Sequence, residues 1–332
     1  MNFPNAANRT WLIPFAVCAS LLAALPVRGQ APPEKKGEIQ AVARISKPFI
    51  EDVAAREEIV ATLPFNAKIL IFHCEGVANG TAKLSVEMTT AQDQATFVVN
   101  GQGTASTYAR AVRGPVVALV PAGGPFTSRT PVHFDGRKFT LGETTPWAEV
   151  HAELDSIQTR RGGRVGRAVG RLAIPVGNLF LPRAEAQATP IGESLLKNFV
   201  DEFAGEIVKK LDRTIPVEKS LNRVFPETKD WVFHMSSDSQ FLQAAYGPRD
   251  AKVPDLPENP ARLKDVRLEL WLHSSAKEAQ DLVKLSKNPL VKELVHKYLE
   301  TVLPELAALS ENRSLDSVGE WLVISVGAPK GK

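Results

Sequence analysis

Apolar and polar residues alternate through most of the segment between about residues 65 and 158. The clearest stretch is 81–89, in which Leu84, Val86 and Met88 fall on one face and polar residues on the other. A period of two with one apolar face is typical of a strand in an antiparallel sheet that buries one side only. The segment 65–158 is therefore predicted to be an antiparallel β domain.

Dipeptides typical of tight turns interrupt this alternation. Asn79-Gly80, Asn100-Gly101 and Asp135-Gly136 each separate two strand-like runs. Asn-Gly and Asp-Gly readily adopt the positive φ angles of type I′ hairpin turns, whose twist matches that of paired strands. The three dipeptides predict a β-meander of about six or seven strands, which forms either a sandwich or a barrel.

A helical period follows further along the chain. Thr189 is a good N-cap residue, and Pro190 after it is favourable in a first helical turn. Apolar residues then recur at every fourth position, with charged residues on the other side; they are Leu195, Phe199, Phe203, Ile207 and Leu211. We predict an amphipathic helix over 189–214 and expect its apolar stripe to pack in the core rather than against a partner.

The remaining segments are less regular. Residues 215–328 contain alternating runs and, after residue 275, capped helical runs, which predicts a smaller α+β domain. Residues 30–64 are predicted to be a flexible leader and a short helix beginning at Pro48, and the basic, Gly-rich stretch 159–188 a linker. The predicted fold class is therefore α+β: an N-terminal antiparallel β-meander domain, then an amphipathic helix and a smaller α+β domain.

The N-terminus has the three parts of a secretory signal peptide. Arg9 ends a short polar region, an apolar run extends from Trp11 to Leu25, and Gly29 is a small residue suited to cleavage. The alternative is an uncleaved membrane anchor, which needs about 20 apolar residues and thus a longer run. We predict that residues 1–29 are removed and that the mature chain is secreted or periplasmic, in the cell envelope, with no transmembrane span.

Removal of residues 1–29 changes the charge and the cysteine content. The segment carries two arginines and no acid, so the formal net charge falls by two from +3. A nearly neutral chain argues against a nucleic-acid partner, which requires a concentrated basic surface. Cys18 is removed as well, so Cys74 remains without a partner for an internal disulfide. The apolar neighbours of Cys74 predict that it is buried rather than reactive.

The sequence contains none of the common enzyme motifs, such as a P-loop, a nucleophile elbow, a zinc-protease helix or a C-x-x-C pair. In strand geometry Glu149, His151 and Glu153 share one face, where they could ligate a metal ion or act as acid and base. The preferred interpretation is the solvated outer face of an amphipathic strand. We predict no catalytic residue, no metal site and no cofactor.

The predicted linker carries the most concentrated charge. If it is helical, Arg160, Arg164, Arg167 and Arg171 fall on one stripe, and four like charges repel one another unless an anion faces them. These arginines are a candidate anion-binding site, with an anionic envelope component or another envelope protein as the partner. The alternative is a mobile linker that keeps the chain soluble, because its glycines weaken a helix.

These observations predict an exported, non-enzymatic structural or binding protein of the periplasm or cell envelope, whose molecular role stays open. Two alternatives remain. One is a secreted hydrolase with a site built from separate strands that includes Glu149, His151 and Glu153, which requires titratable groups that converge in a cleft. The other is a carrier of an apolar ligand between the amphipathic helix and a sheet, which requires a large apolar pocket.

Overall fold

The computed structural model of this 332-residue chain describes segments that all belong to one unit, which begins at Gly37. The segments are residues 38–54, 59–159, 164–214, 231–257, 265–275 and 312–327. The predicted signal peptide and the helical runs predicted after residue 275 lie outside the described residues and stay predictions.

The described residues form strands and two helices. In chain order they are β1 (Ala41–Ser46), α1 (Lys47–Ala54), β2 (Ile59–Ile69), β3 (Phe72–Met88), β4 (Ala95–Arg113), β5 (Val116–Phe134), β6 (Phe139–Leu141), β7 (Thr145–Ala148), β8 (His151–Ala152), β9 (Ser156–Thr159), α2 (Arg164–Thr214), β10 (Trp231–Ser237), β11 (Phe241–Pro248), β12 (Val266–His273), β13 (Arg313–Val318) and β14 (Trp321–Gly327).

The larger sheet contains the meander that the alternation predicts. β2 to β5 pair in chain order, and the short strands β6 to β9 pair along the far side of β5. All of these pairs are antiparallel, and the sheet curves into a half-barrel. The predicted fold class, α+β with an N-terminal antiparallel meander, is confirmed. The sequence left a sandwich and a barrel as alternatives, and the structure has an incomplete barrel.

Two of the three predicted hairpin turns are wrong. Asn79-Gly80 lies in the middle of β3 and Asn100-Gly101 lies within β4, both in uninterrupted antiparallel pairing. Asn-Gly permits a positive φ without imposing it, and here the pairing on both sides of each strand outweighs the local preference. Asp135-Gly136 does form a turn, in which Gly136 has φ 86 and Asp135 Oδ1 accepts two backbone N–H groups.

The smaller sheet takes a central strand from the N-terminal part of the chain. Its order is β10-β11-β1-β12-β14-β13, and β1 pairs with β11 on one side and β12 on the other. Ala41 and Val42 are fully buried there. The prediction of a flexible leader is therefore wrong for residues 41–46. A strand of 6 residues is a short pattern, and the strands that bury it come from distant parts of the sequence.

The long helix begins earlier than predicted. α2 starts at Arg164 and contains three prolines, at positions 175, 182 and 190. The predicted N-cap at Thr189 is therefore wrong, and the predicted linker 159–188 is helical from Arg164. Glycine and proline inside a helix are unfavourable, which is why the sequence pattern indicated a linker. Contacts with the half-barrel, described below, support the helix from Gly177 onward.

The C-terminal part of α2 joins the two sheets. Ile207 and Leu211 lie in one buried cluster with Phe97 and Val132 of the larger sheet and Leu270 of the smaller sheet. The last part of the predicted apolar stripe therefore packs in the core, as expected, whereas Leu195 and Phe199 of the same stripe line the cavity described below. Among the helices of the described segments, none is both long and apolar enough to cross a bilayer.

β3 and β4 approach each other closely at Gly103, where a side chain would destabilise the fold. A Cβ atom added at Gly103 would overlap the backbone carbonyl oxygen of Thr81. We predict that Gly103→Ala lowers the free energy of unfolding by about 1–3 kcal/mol, the usual cost of overpacking. Urea denaturation followed by circular dichroism measures the change.

Gly80→Ala on β3 is the matched control. Its added Cβ would lie 3.5 Å from the Thr104 carbonyl oxygen, which is ordinary van der Waals contact. We expect this variant to be neutral or stabilised by about 0.4–1 kcal/mol, because alanine restricts the unfolded chain. Equal stability of the two variants would contradict the close approach at Gly103.

Candidate functional site

The concave side of the half-barrel and the long helix α2 enclose a cavity of about 670 Å³. Residues of β2 to β5 form its floor, residues between 148 and 157 form one side, and residues between 177 and 199 of α2 form its roof. The lining is almost entirely apolar. Ligand pockets in proteins have this character, with volumes of about 300–1,000 Å³.

Small side chains create this volume. Side chains of a strand point alternately to its two faces, and on the long strands most inward positions are alanine or glycine. The small residues in the floor include Ala61, Ala78, Gly80, Ala82, Ala105, Ala109, Ala111, Ala118, Ala122, Gly123 and Gly124. Those in the roof are Gly177, Ala184, Ala188 and Gly192. Because neither surface carries side chains long enough to reach the other, a hollow remains between them.

Larger side chains at the two ends of the cavity keep α2 at a distance from the sheet. At one end Leu154 lies against Gly177 of α2, in a cluster that includes the ring of Phe65. At the other end Phe126 packs with Leu196 of α2. The helix therefore crosses the cavity between two apolar supports.

Hydrogen bonds attach α2 to both edges of the half-barrel. At the β2–β3 turn the Leu70 N–H donates to Gln187 Oε1 over 2.6 Å. At the opposite edge the Ala152 N–H of β8 donates to Glu185 Oε1 over 2.7 Å. Gln187 and Glu185 are two residues apart, so a single turn of α2 connects the two edges across the cavity.

Two further hydrogen bonds set the position of α2 along the sheet. The Thr144 hydroxyl donates to Asp201 Oδ1, and the Phe139 N–H donates to Asp212 Oδ1 over 2.8 Å. Charge-assisted hydrogen bonds of this kind are stronger than those between neutral groups. Acidic side chains thus attach α2 to the half-barrel at several points along the helix, from Glu185 over the cavity to Asp212 near the core.

Cys74 is buried in the cavity wall, as the sequence predicts. Burial raises the pKa of its thiol above the ordinary value, against a smaller opposing effect of a hydrogen bond with the Ile69 backbone. The thiol is therefore neutral at physiological pH and a poor nucleophile. It can report on what occupies the cavity, but it is not placed to catalyse a reaction.

The candidate acid–base cluster lies on the outer surface. Glu149, His151 and Glu153 are all exposed, and His151 Nε2 lies 3.2 Å from Glu149 Oε1. The alternate residues Val150, Ala152 and Leu154 line the cavity. This arrangement is the solvated face of an amphipathic segment. Within the described segments, no group of three His, Cys, Asp or Glu side chains is placed to hold a metal ion.

The candidate anion-binding arginines fall around the start of α2. Arg160 lies outside the described residues. The backbone places Arg164, Arg167 and Arg171 in the first turns of α2, so the helical alternative holds from Arg164 onward. Anion binding by these four residues stays a prediction.

A polar cluster in the smaller sheet, which the sequence analysis missed, has the components of a serine hydrolase site. His273 Nδ1 is 2.6 Å from Ser275 Oγ, and His273 Nε2 is 3.3 Å from Glu320 Oε2. The Ser275 N–H also donates to Nδ1, and the Ser275 hydroxyl has a second acceptor, Gln40 Oε1, at 2.8 Å. His273 is 8% exposed, and the cavity does not extend to it. We interpret the cluster as hydrogen bonding that joins strand ends.

The cavity residues themselves were missed by the sequence analysis, although a pattern was present. Ala78, Gly80 and Ala82 recur with a period of two along β3. Alanine and glycine are depleted in strands because they pack poorly against neighbours, so a strand face made of them indicates unfilled space. The sequence does not reveal which helix covers this face.

Comparisons with known proteins give a weak structural neighbour. No protein-family model matches the chain, and no curated protein does. Among solved structures, a crystal structure of a lipopolysaccharide binding protein matches with a TM-score of 0.28 and 10% sequence identity. The match covers 71% of this chain and 57% of that chain, so this chain corresponds to little more than half of its neighbour. A likeness this weak supports no conclusion about function.

The buried thiol in the cavity wall generates a prediction about reactivity. In a Cys18→Ser background, alkylation of Cys74 by iodoacetamide should be at least about tenfold slower in the folded protein than in urea at the same pH. The reason is that burial hinders access and its raised pKa lowers the thiolate fraction. The rate of the folded protein should rise with pH to a midpoint above that of the unfolded chain. A midpoint at or below the unfolded value would contradict the buried position.

Proposed function

We propose that this protein binds and carries an apolar ligand, such as the acyl chain of an amphiphile, in the cavity beneath α2. The observation that carries this proposal is a cavity of about 670 Å³ with an apolar lining. A second support is the attachment of α2 to both edges of the half-barrel, through Gln187 and Glu185. The helix then acts as a cover that separates the ligand from water.

The energetics of packing favour an occupied cavity. Protein interiors are normally packed as densely as organic crystals, and an unfilled apolar cavity costs about 24 cal/mol for each Å³. If the cavity had no function, larger residues at the alanine and glycine positions could fill it and so remove this free-energy cost. An apolar ligand offsets it, since each CH₂ group taken out of water contributes about 0.8 kcal/mol.

The cavity also distinguishes the carrier from the other functions that the sequence left open. A purely structural protein requires no pocket. A hydrolase requires titratable groups that converge on one site. The acids and thiol among the lining residues are Cys74, with a raised pKa, Glu185, which already accepts the Ala152 N–H, and Glu149, whose exposed carboxylate lies beside His151. Carriage of an apolar ligand is the function that the apolar lining favours.

The predicted signal peptide supports the finer part of the proposal. We propose that the carrier is an exported, non-enzymatic binding protein that acts in the periplasm or the cell envelope. A carrier is useful in such a compartment because an apolar molecule cannot cross the aqueous space between membranes unaided. An anionic envelope component is the proposed partner.

Filling the cavity tests the proposal. Ala109 is buried in the floor, so Ala109→Phe places a ring in the space that an acyl chain would occupy. We expect a fluorescent fatty acid to bind the wild-type chain and to bind this variant at least about tenfold more weakly, because displaced CH₂ contacts are worth about 0.8 kcal/mol each. Fluorescence titration with the full chain measures both affinities.

Val77→Phe is the control for this experiment. Val77 lies on β3 but is 42% exposed on the outer face, so its ring does not enter the cavity. This variant should bind the fatty acid as the wild type does, and circular dichroism should show all three proteins folded. Wild-type affinity in a folded Ala109→Phe variant would refute binding beneath α2.

A further inference from the structure

One end of the half-barrel exposes apolar side chains around the opening of the cavity. Ile71, at the β2–β3 turn, is 52% exposed, and Phe180 of α2 is 48% exposed. Both also line the cavity, so the cavity reaches the surface between them. Leu179, next to Phe180, is 78% exposed. Two large apolar side chains at the opening of an apolar cavity, with a third exposed beside them in the sequence, form a patch rather than scattered exposure.

The β2–β3 turn itself is unfavourable for the free protein. Leu70 has φ 54, a left-handed conformation that bulky residues rarely adopt. Hairpin turns usually place glycine, asparagine or aspartate at such positions. Here the two turn residues are leucine and isoleucine, whose side chains form no hydrogen bonds with water. Apolar residues in a strained, exposed turn point to a surface on which they are buried.

Positive charge surrounds the apolar tip. Lys68, Arg113 and Arg183 are exposed, and Arg113 and Arg183 line the cavity opening. Among the described residues, none of the three has an acidic partner. In the sequence, the stretch 156–184 contains arginines but no aspartate or glutamate.

Two acidic side chains of the half-barrel, Glu75 and Asp155, are already engaged. Glu75 forms an ion pair with Arg110 at 2.6 Å, and Asp155 accepts the Tyr108 hydroxyl at 2.9 Å. The end of the half-barrel therefore combines an apolar tip with a cationic surround. The surface of an anionic bilayer has the complementary arrangement, with anionic head groups above apolar chains.

We propose that the end of the half-barrel formed by Ile71, Leu179 and Phe180 docks on an anionic lipid bilayer. The three apolar side chains enter the head-group region, and Lys68, Arg113 and Arg183 contact the lipid phosphates. In this position the cavity opens toward the bilayer, so an amphiphile passes between membrane and cavity without crossing water. The docking stands on the exposed residues alone; this path for the ligand rests on the proposed function.

Vesicle binding tests the docking surface. The full chain is sedimented with vesicles of phosphatidylcholine and with vesicles of equal parts phosphatidylcholine and phosphatidylglycerol. We expect binding to the anionic vesicles that falls as salt rises, and at least about tenfold weaker binding to phosphatidylcholine alone. Ile71→Ser with Phe180→Ser should weaken anionic binding about tenfold or more, as should Lys68→Gln with Arg113→Gln. Val60→Ser, at a residue that is 71% exposed in the first part of β2, should change nothing.

A local measurement separates the tip from any contribution of residues 1–29. In a Cys18→Ser and Cys74→Ser background, a polarity-sensitive fluorophore is attached to Ile71→Cys or to Val60→Cys. The dye at position 71 should shift to shorter wavelength on anionic vesicles, and the dye at position 60 should not. Equal shifts at the two positions, or no shift at position 71, would overturn the proposal.

Failure of the docking and failure of the carrier function give different results. Fatty-acid binding is measured without vesicles for Leu179→Ser and for Lys68→Gln, at two residues of the docking surface that do not line the cavity, and the docking proposal expects it to remain within about twofold of wild type. If the wild type binds fatty acid but no vesicles, the docking is wrong and the carrier function stands. If it binds vesicles through the tip but no fatty acid, the cavity has been misinterpreted and the docking stands.

Discussion

The distance between α2 and the half-barrel is the constraint on which the rest of the site depends. Hydrogen bonds from Leu70 and Ala152 attach one helical turn to the two edges of the sheet, and apolar clusters support the helix at both ends of the cavity. The alanine and glycine floor cannot fill the gap that this spacing leaves. Without those attachments the helix would approach the sheet and the hollow would close.

The same helix joins the cavity to the rest of the fold. Its C-terminal part lies in the core between the two sheets, through residues such as Leu211, whereas the part from Gly177 to Phe199 covers the cavity. Pro182 and Pro190 lie in the covering part, where each lacks the N–H that would donate to the preceding turn. One helix thus has a buried half that fixes its position and a half whose attachment depends on the sheet edges.

How much of this could be predicted depends on how local each feature is. The period-two alternation of residues such as Leu84 and Val86 is local, and it predicted the antiparallel meander correctly. The Asn79-Gly80 turn failed because pairing with β2 and β4 outweighs a dipeptide preference, and β1 was missed because distant strands bury it. Prediction of the cavity required both local patterns and contacts between distant segments. Its floor is a local pattern, but its roof comes from a helix whose start at Arg164 no local pattern indicated.

The proposed function requires that the space beneath α2 holds an apolar ligand. Native mass spectrometry of the full chain, purified without detergent and incubated with a mixture of membrane lipids, tests this most directly. We expect a species heavier than the bare chain by one amphiphile, which is released on gentle activation and is absent in Ala109→Phe. A wild-type chain that carries no added mass, or the same added mass in both proteins, would contradict the proposed function.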